Sequence, residues 1–439
     1  MKSRTFIGRR KELLWFNDID QRKGFRFVVV TGRRRIGKTR LINEFLKDRD
    51  HFRVQFEKRK ADSNLDKMNS EIGDQLKIPK PDFSSFTEAF EYLRDRKIKI
   101  VVLDEFSYII RYSDVVGEFQ TIIDEVLKDS DMMLIVMGSS FSIMKMGIFE
   151  YSAPLYGRSE GMLNLQPLDI IDVMEWFPNM KFKDLFLLYS ILGGVPRYLE
   201  FVKDDMDLEK QLEELFLDPN TFLFREAKQL MEEEFDDPST YYSILESISR
   251  GSSKVTRIGK GSFLDPSKVS KYLSVLVDIG IVKKELPFGH RRKQGIYYFR
   301  DPYFRFWFRF VSDLFEEIES DDTEGAVLRY RKDLDTFMGR AFEDSIRKVI
   351  SRMLPFVPLK IGKWWKGGVE IDWIAEGMDD IAFVEVKWKK MKKRDVERTL
   401  WDLRSRSKEY GNVSKKEHHV LFCIGTSGRI PEDPSNVHV

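Results

Sequence analysis

The chain has 439 residues, of which 42% are hydrophobic and 33% are charged, and its formal net charge is +2. This length predicts two to four domains at roughly 100–200 residues each, and the nearly balanced charge gives no chain-wide field that would attract nucleic acid. The single cysteine, Cys423, excludes a disulfide framework and a cysteine-rich zinc module.

No segment predicts secretion or membrane insertion. The N-terminal stretch MKSRTFIGRRKELL lacks the apolar core of a signal peptide. The longest apolar runs, such as residues 132–137, are far too short to span a bilayer. We therefore expect a soluble, cytoplasmic protein.

Four blocks follow one another without an internal repeat, and they predict an α/β multidomain protein. In the first block, 1–162, helical stretches separate near-continuous Val, Ile and Leu runs, which indicates a parallel sheet buried on both faces. The runs lie at 25–32, 51–56, 98–106 and 132–140. The later blocks are a helix-rich block (163–235), a block of short helices and a hairpin (236–300), and a C-terminal α/β block (301–439).

The strongest motif is VVVTGRRRIGKTRLINEFL, which matches the pattern G-x-x-x-x-G-K-[ST] between an apolar run and an amphipathic helical pattern. Its glycines let backbone N–H groups curl around phosphate oxygens, and the helix N-terminus adds positive dipole character. We expect Lys38 to reach the β- and γ-phosphates and Thr39 to hold Mg²⁺. The motif predicts a site for ATP or GTP. The residues expected to line it are Gly32, Arg33, Arg34, Arg35, Ile36, Gly37, Lys38, Thr39 and Arg40.

An acidic pair ends the run IKIVVLDEF. Asp104 closes its apolar part, and in parallel sheets the C-terminal ends of strands lie beside the ligand. We expect Asp104 to hold Mg²⁺ through water. Glu105 is placed to orient or deprotonate the attacking water.

Two further candidates follow the acidic pair. The run MMLIVMGSS ends in Ser139 and Ser140, where a small polar residue could sense the γ-phosphate or hold the water; the alternative is a solvated strand end. Arg158, in SAPLYGRSEG, could stabilise transition-state charge in its own chain or in a neighbouring one. It could equally pair with a carboxylate.

The third block predicts a winged helix. Asp265 and Pro266 suit the N-cap and first positions of a helix that turns Val269, Leu273 and Leu276 inward. The helix leaves four side chains towards solvent, and a basic hairpin tip follows. These residues are Ser267, Lys268, Ser270 and Lys271, and then Gly289, His290, Arg291, Arg292 and Lys293. Both features could contact DNA; the alternative is a winged helix that contacts protein or stabilises a lid.

The fourth block begins with the aromatic segment YFRFWFRFV. It is too short to span a membrane, and Arg305 and Arg309 interrupt it. We expect a buried linker helix packed between domains.

Residues 369–388, VEIDWIAEGMDDIAFVEVKW, predict a hairpin with charges where core strands would be apolar. Side chains alternate along a strand, and opposed residues of an antiparallel pair point to the same face. A loop at 377–380 gives a continuous apolar face and pairs Asp372 with Glu385 and Glu370 with Lys387. A one-residue slip would put Asp372 on the core face.

This register gathers four charged residues on one face, at the end away from the turn. Opposed Cβ atoms are about 4.5–5.5 Å apart, so the carboxylates of Asp372 and Glu385 repel each other unless a cation lies between them. Mg²⁺ or Mn²⁺ would remove the repulsion, and Lys387 could orient or activate a water. Glu343, in the helical stretch GRAFEDSIRKVI, is a candidate extra acid. The alternative is a solvated hairpin face.

The end of the chain predicts three elements. The run KWKKMKKRDVERTLWDLRSRSKEYG, 387–411, predicts a basic helix that suits a phosphate backbone, although lysine-rich helices are usually only solvated. A strand, HHVLFCIG, comes next, and the tail RIPEDPSNVHV is predicted to be disordered.

The motifs FIGRRKEL, GRRRIGKT, VVLDEF, GSS, PLYGR and GGVPRYL, in this order, resemble those of archaeal ATPases of the STAND/AAA+ group, relatives of the origin-recognition ATPases. The fourth block resembles the domain that often follows in that family, which is related to PD-(D/E)xK nucleases and has a restriction-endonuclease-like fold. Asp372, Glu385 and Lys387 match its D…E-x-K pattern. Ile371 departs from the proline of that pattern, and the alternative is a nuclease fold that has lost its activity and kept its shape.

The resemblance implies roles that spacing alone does not. Phe6, Ile7, Gly8 and Arg9 would lie near the adenine. The second block would form a helical lid, from which Gly194 and Pro196 of GGVPRYL would close the nucleotide site; Arg197 is a weak candidate beside them. The same stretch also fits a helix end followed by a proline stop. The preference for adenine over guanine rests on the resemblance.

These features together predict a P-loop ATPase that binds ATP or ADP with Mg²⁺ and hydrolyses ATP. The main hypothesis is a switch that engages DNA through a winged helix and a nuclease-like domain, which would bind Mg²⁺ or Mn²⁺. The competing hypothesis is a nucleotide-switched regulator or scaffold whose C-terminal blocks contact protein partners. A homo-oligomer also stays open.

Overall fold

The computed structural model describes residues 6–139, 141–151, 153–204, 206–289, 295–320, 322–411, 414–427 and 437–438. The chain forms two compact units, residues 1–185 with 192–206 and residues 186–191 with 207–439. This division is coarser than the four predicted blocks, whose boundaries stay predictions.

The first unit is built on a five-stranded parallel sheet. Its strands are β1 (Arg26–Thr31), β2 (His51–Gln55), β3 (Ile100–Asp104), β4 (Met133–Gly138) and β5 (Gly161–Asn164). They lie in the order β2-β3-β4-β1-β5, and all neighbours pair in parallel. Every residue of β1, β3 and β4 is buried, because helices cover both faces. The four predicted strands and the parallel sheet are therefore confirmed, whereas β5, a short edge strand, was missed.

The helices of this unit connect the strands and then extend beyond the sheet. They are α1 (Arg10–Asp20), α2 (Lys38–Phe45), α3 (Ala61–Leu76), α4 (Phe86–Asp95), α5 (Ser113–Thr121), α6 (Phe141–Met144), α7 (Ile170–Trp176), α8 (Phe182–Leu192) and α9 (Pro196–Leu199). The centre of α8 belongs to the second unit.

The second unit begins with helices and a short hairpin. Its helices are α10 (Leu208–Leu217), α11 (Phe222–Glu234), α12 (Pro238–Ser249), α13 (Val255–Gly261), α14 (Pro266–Asp278), α15 (Pro302–Phe310), α16 (Phe315–Glu319), α17 (Glu324–Met353) and α18 (Lys393–Ser407). The strands β6 (Val282–Glu285) and β7 (Ile296–Phe299) pair antiparallel as a hairpin after α14.

The helix α14 has the predicted orientation. Val269, Leu273 and Leu276 are fully buried, and the Asp265 side chain caps the helix by accepting from the Ser267 N–H at 2.8 Å. The side chains predicted to face solvent are exposed; they are Ser267, Lys268, Ser270 and Lys271. Residues 290–294, which include the basic part of the predicted hairpin tip (His290, Arg291, Arg292 and Lys293), lie outside the described residues.

The aromatic helix α15 is buried, as predicted, and lies within the second unit, whereas its role as a linker between domains stays a prediction. Six of its nine residues are buried aromatic side chains. Their polar groups are paired, since the Trp307 indole N–H donates to the Phe224 carbonyl at 2.7 Å and the Tyr303 hydroxyl to the Leu223 carbonyl at 2.8 Å. Within the described part of the chain, no helix is long and apolar enough to cross a membrane.

A second, mixed sheet closes the chain. Its strands are β8 (Lys360–Lys366), β9 (Val369–Glu376), β10 (Asp380–Lys392), β11 (Lys416–Ser427) and β12 (Val437–His438). They lie in the order β12-β11-β10-β9-β8, with β8, β9 and β10 antiparallel and β10, β11 and β12 parallel. The strand β8 was missed, because it is an edge strand in which lysines are mixed with apolar residues.

The predicted hairpin register is confirmed by the pairs Ile374–Phe383 and Trp373–Val384. The turn is tighter than predicted, because the Gly377 N–H already donates to the Asp380 carbonyl at 2.9 Å. The alternative of a solvated face is wrong. The helix α17 covers one face, where Phe342 contacts Trp388, and α18 covers the other.

Two predictions about the C-terminal segment need correction. Residues 387–392 continue β10, so the basic helix begins only at Lys393. Val437 and His438 pair with β11, so the expectation of disorder is wrong for these two residues. Residues 428–436 lie outside the described part of the chain.

Candidate functional site

The phosphate loop joins the end of β1 to the start of α2. Gly37 adopts φ 93°, a left-handed conformation that favours glycine, and it is the N-cap of α2 without a side-chain cap. Since glycine has no side chain, Gly37 cannot accept hydrogen bonds from the first N–H groups of α2. Phosphate oxygens can accept them instead.

Lys38 lies folded back over this loop. Its Nζ donates to the Gly32 carbonyl at 2.7 Å and to the Ser139 Oγ at 3.0 Å, and the side chain is buried. The ammonium group is thus held at the inner wall of the loop, where a phosphate chain cradled by the backbone would meet a positive charge.

Thr39 and Asp104 meet across the sheet. The Thr39 hydroxyl donates to Asp104 Oδ2 at 3.2 Å, and the Glu105 N–H donates to Asp104 Oδ1 at 3.0 Å. Only 2% of Asp104 is exposed. A hydroxyl and a buried carboxylate are the kind of oxygen ligands that Mg²⁺ prefers.

Glu105 is linked to the same cluster through Ser139. The Ser139 hydroxyl donates to Glu105 Oε1 at 2.6 Å, so one serine contacts both Glu105 and Lys38. Glu105 itself adopts φ 53° directly after β3. This conformation turns the chain sharply between the two acidic residues. Ser140, the other candidate, lies outside the described residues.

Arg53 is a functional candidate that the sequence analysis missed. Its Nη2 lies 2.5 Å from Asp104 Oδ2, and its Nη1 donates to the Asn43 side chain on α2. The signal in the sequence was an arginine inside the apolar run HFRVQF. Its meaning depends on β2 lying next to β3, which the tertiary structure decides.

Arg158 has the partner that the sequence left open. Its Nε and Nη2 donate to the two carboxylate oxygens of Asp124, both at 2.7 Å. The hydrogen bond from Arg158 to Asp124 raises the pKa of Arg158 and lowers that of Asp124. Arg158 would have to leave this bidentate pair before it could reach a phosphate, and its catalytic role stays a prediction.

The N-terminal motif lies against the phosphate loop. The buried Arg9 guanidinium donates to the Ile36 carbonyl at 3.2 Å, and Phe6 packs on the core cluster that contains Ile36. Gly8 adopts φ 68°, and a Cβ there would lie 2.7 Å from the Asp172 carboxylate. The segment 6–9 is therefore fixed next to the phosphate loop.

The GGVPRYL segment also reaches the loop. A Cβ on Gly37 would contact the Pro196 ring at 3.7 Å, and Arg33 Nη2 donates to the Tyr198 hydroxyl at 2.7 Å. Arg197 pairs with Glu200 at 2.8 Å. Of the remaining loop arginines, Arg34 donates to the Tyr108 hydroxyl at 2.8 Å, Arg35 adopts φ 67° and Arg40 is exposed.

Gly194 is required by a close approach of two backbones. A Cβ at this position would lie 1.8 Å from the Leu168 carbonyl oxygen, and the Leu168 N–H donates to the Gly194 carbonyl at 2.8 Å. We expect Gly194→Ala to cost at least about 2 kcal/mol and to lower the melting temperature by about 4–8 °C. Thermal unfolding tests this against Gly117→Ala, because a Cβ at Gly117 meets nothing within 4 Å. Equal melting temperatures for the two variants would contradict it.

An acidic cluster lies at the far end of the C-terminal hairpin. Asp372 and Glu385 lie one position beyond the last ladder pair, and Asp372 Oδ2 accepts from the Val386 N–H at 2.8 Å. Burial, followed by the charges of Glu385 and Glu343, raises the pKa of Asp372 to about 8. The fold thus disfavours a second negative charge here unless a cation compensates it.

Two cations hold Glu385, which is only 4% exposed. Lys387 Nζ donates to its Oε1 at 2.6 Å, and Arg406 Nη2 donates to its Oε2 at 2.8 Å. Lys387 therefore lies at the cluster, and Arg406 on α18 is a second residue there that the sequence analysis did not single out.

Glu343 on α17 approaches the same cluster. It forms an ion pair with Lys363 of β8, and burial raises the pKa of Glu343. A cavity of about 540 Å³ exposes Glu343, Glu370 and Asp372 on its wall. The structure thus brings all the predicted acids of this cluster together.

The donor sets suit Mg²⁺ at both places. Among the described residues, no group of three or more His, Cys, Asp or Glu side chains is arranged to hold a metal ion. Mg²⁺ is usually held by one or two carboxylates, with water and phosphate oxygens completing the shell. Asp104 with Thr39, and Asp372 with Glu385, fit this pattern.

Similarity to known proteins gives the class of this one. Residues 6–202 match an ATPase domain predominantly from Archaea, and residues 307–399 match a domain of archaeal and bacterial proteins of unknown function. The uncharacterized protein MJECL04 of Methanocaldococcus jannaschii is 32% identical in an alignment of 428 residues that covers 95% of each chain. The chain belongs to this family of archaeal P-loop ATPases.

One solved structure is similar in fold, and a second gives a weaker match. The Walker-type ATPase PABY2304 of Pyrococcus abyssi has a TM-score of 0.54 and 19% identity, and the match covers 69% of this chain and 96% of that one. The ORC2 protein of Aeropyrum pernix has a TM-score of 0.47 and 13% identity, and the match covers 74% of this chain and 98% of that one.

Proposed function

We propose that the protein is an ATP-hydrolysing switch. The observation that carries this proposal is the convergence of Lys38, Thr39, Asp104, Glu105 and Ser139 at the C-terminal ends of β1, β3 and β4. Purified protein should release phosphate from ATP only when Mg²⁺ is present. Absence of release under these conditions would contradict the proposal.

Each of these residues has a distinct task in the proposed reaction. The loop N–H groups and Lys38 neutralise the phosphates, and Thr39 with Asp104 would hold Mg²⁺, which supplies further positive charge when bound. Glu105 accepts a proton from the attacking water. The Ser139 hydroxyl, which contacts both Lys38 and Glu105, orients that carboxylate. Pro196, next to Gly37, closes the site from the lid segment.

Arg53 is our candidate for the arginine that stabilises transition-state charge. It already lies within hydrogen-bonding distance of Asp104, so it is close to the place where Mg²⁺ and the γ-phosphate would be held. Asp104 would hold Mg²⁺, which would offset the carboxylate charge when bound, and the Arg53 guanidinium could then contact the phosphate.

We expect Arg53→Ala to reduce ATP turnover by about a hundredfold, because one charge-stabilising donor is typically worth this much. Arg158→Ala is the matched control and should change turnover less than about threefold, since Asp124 holds Arg158 and an exposed ion pair of this kind contributes little. Steady-state rates at saturating ATP measure both. A larger reduction for Arg158→Ala would assign the role to Arg158 instead.

We propose that helices α12 to α14 with the β6–β7 hairpin form a winged helix that binds DNA. The exposed side of α14 presents Lys268 and Lys271 next to Ser267 and Ser270, and such groups contact backbone phosphates. Three helices followed by a two-stranded hairpin support this interpretation.

The double variant Lys268→Gln and Lys271→Gln should flatten the salt dependence of duplex binding. The slope of log K against log salt falls by about 0.9 for each phosphate that the protein no longer neutralises, so two such phosphates give an expected change of about 1.8. Lys332→Gln with Lys360→Gln is the control, because both lysines are exposed elsewhere in the same unit. An unchanged slope in the α14 variant would contradict the proposal.

We also propose that the C-terminal sheet is a metal-dependent nuclease domain. Its support is the pair of the half-buried Asp372 and the buried Glu385, with Lys387 bonded to Glu385 and a cavity leading to Asp372. Asp372 and Glu385 would hold Mg²⁺ or Mn²⁺, and Lys387 would orient the attacking water.

The competing function is a nucleotide-switched scaffold that binds protein partners. The pairing of Glu385 with two cations is the observation that favours it, since ion pairs also occur in folds without catalysis.

A further inference from the structure

The helix α18 carries a tryptophan on its outer surface. Trp401 is 68% exposed, although a large aromatic side chain normally gains by burial. The inner face of the same helix is packed on the sheet through Val396, Leu400 and Leu403. Trp401 is therefore not needed for the packing of α18.

The surroundings of Trp401 on the helix are basic. At about 100° per residue, cations outnumber carboxylates within about 60° of Trp401 on the helical projection. The cations are Arg394, Arg398, Arg404 and Lys408, the carboxylate is Glu397, and all are exposed. The other carboxylates of the helix, such as Asp395 and Asp402, lie at the sides. We call these cations with Trp401 the Trp401 surface.

The same helix is tied to the acidic cluster from its inner side. Arg406 donates to Glu385 Oε2 at 2.8 Å and to the Glu370 carbonyl at 2.7 Å. The C-terminal end of α18 therefore lies at the strand ends that carry Asp372 and Glu385.

We infer that the Trp401 surface binds single-stranded nucleic acid, with an unstacked base on the Trp401 ring and phosphates on the flanking arginines and Lys408. The biological use of this binding rests on the proposed nuclease function, whereas the binding itself depends on Trp401 and the flanking cations. An exposed ring can stack on a base only when that base is free of its duplex neighbours. The excess of positive charge suits phosphates and disfavours a basic partner.

Binding is measured in EDTA with the full chain carrying Asp372→Asn, so that no cleavage contributes. The probes are a thymidine oligonucleotide of about 15 nucleotides, which exceeds most single binding sites, and a duplex of the same length. Trp401→Ala should weaken single-strand binding about tenfold, and Trp401→Phe should keep most of it. Leu328→Ala, which removes another exposed apolar side chain on a helix, should change nothing.

The salt dependence of binding tests the phosphate contacts of the Trp401 surface. Arg398→Gln should lower the salt slope for the single strand by about 0.7, whereas Arg352→Gln on α17 should leave it unchanged. Equal affinity of Trp401→Ala and the parent protein for the single strand would overturn the inference. If Trp401→Ala changes self-association but not the affinity for the single strand, the surface is a protein contact and the inference is also overturned. If the wild-type protein does not cleave DNA but Trp401→Ala strongly weakens single-strand binding, only the nuclease proposal is wrong.

Discussion

Replacing Lys38 by alanine is expected to reduce ATP turnover by at least about a hundredfold. The ammonium group is buried and is aimed at the phosphate cradle by the Gly32 carbonyl and Ser139, and removal of one such charge-stabilising donor has this size of effect. Steady-state phosphate release measures the reduction. Lys47→Ala is the control, because Lys47 is exposed and pairs locally with Glu44 of α2. Unchanged turnover in Lys38→Ala would refute the phosphate-loop assignment.

A second variant separates binding from chemistry at the same site. Glu105→Gln keeps the size of the side chain and can still bond to Ser139, so ATP binding should be retained while turnover is abolished. A fluorescent ATP analogue titrated onto the Glu105→Gln and Lys38→Ala proteins measures ATP binding, and it should bind tightly to Glu105→Gln. An equal reduction of binding and turnover in Glu105→Gln would show that Glu105 is structural.

Replacing Asp372 by asparagine is expected to abolish metal-dependent DNA cleavage. An amide of the same shape cannot supply the negative charge that Mg²⁺ or Mn²⁺ requires beside Glu385. Cleavage of single-stranded and duplex DNA, with EDTA as the metal-free reference, measures the effect. Asp379→Asn is the matched control, because Asp379 lies exposed at the turn of the same hairpin. Cleavage by Asp372→Asn at the wild-type rate would end the nuclease proposal, as would its absence in the wild type.

The same substitution should leave the fold at least as stable as before. The pKa of Asp372 is raised to about 8, mainly by burial and then by Glu385, so folding disfavours its ionised form. This cost is absent at low pH and grows as the pH rises from the ordinary carboxyl pKa towards the raised one. At neutral pH, Asp372→Asn removes the cost, and its metal-free melting temperature should equal or exceed that of the wild type. A clear decrease would show that the charge has a stabilising partner.

The hairpin shows how far a local pattern can determine structure. Alternation of apolar and charged residues fixed which residues pair, since a slip of one position would expose the apolar face, and the observed pairs agree. The same pattern did not predict that α18 would cover the charged face. It also did not predict that Arg406 would neutralise Glu385, because that contact joins residues from separate elements.

At the phosphate site, too, some features could be predicted from the sequence and others could not. The motifs at 32–39 and 104–105 were identified from sequence because local backbone geometry and strand ends fix those positions. The sequence pattern alone determined the parallel sheet, the phosphate loop and the hairpin register, since these depend on short-range periodicity. Only the tertiary structure decided that β2 lies beside β3, which brings Arg53 to Asp104, and that Asp124 holds Arg158. Strand order and the partners of long, flexible arginines depend on packing between distant segments, and local patterns do not encode them.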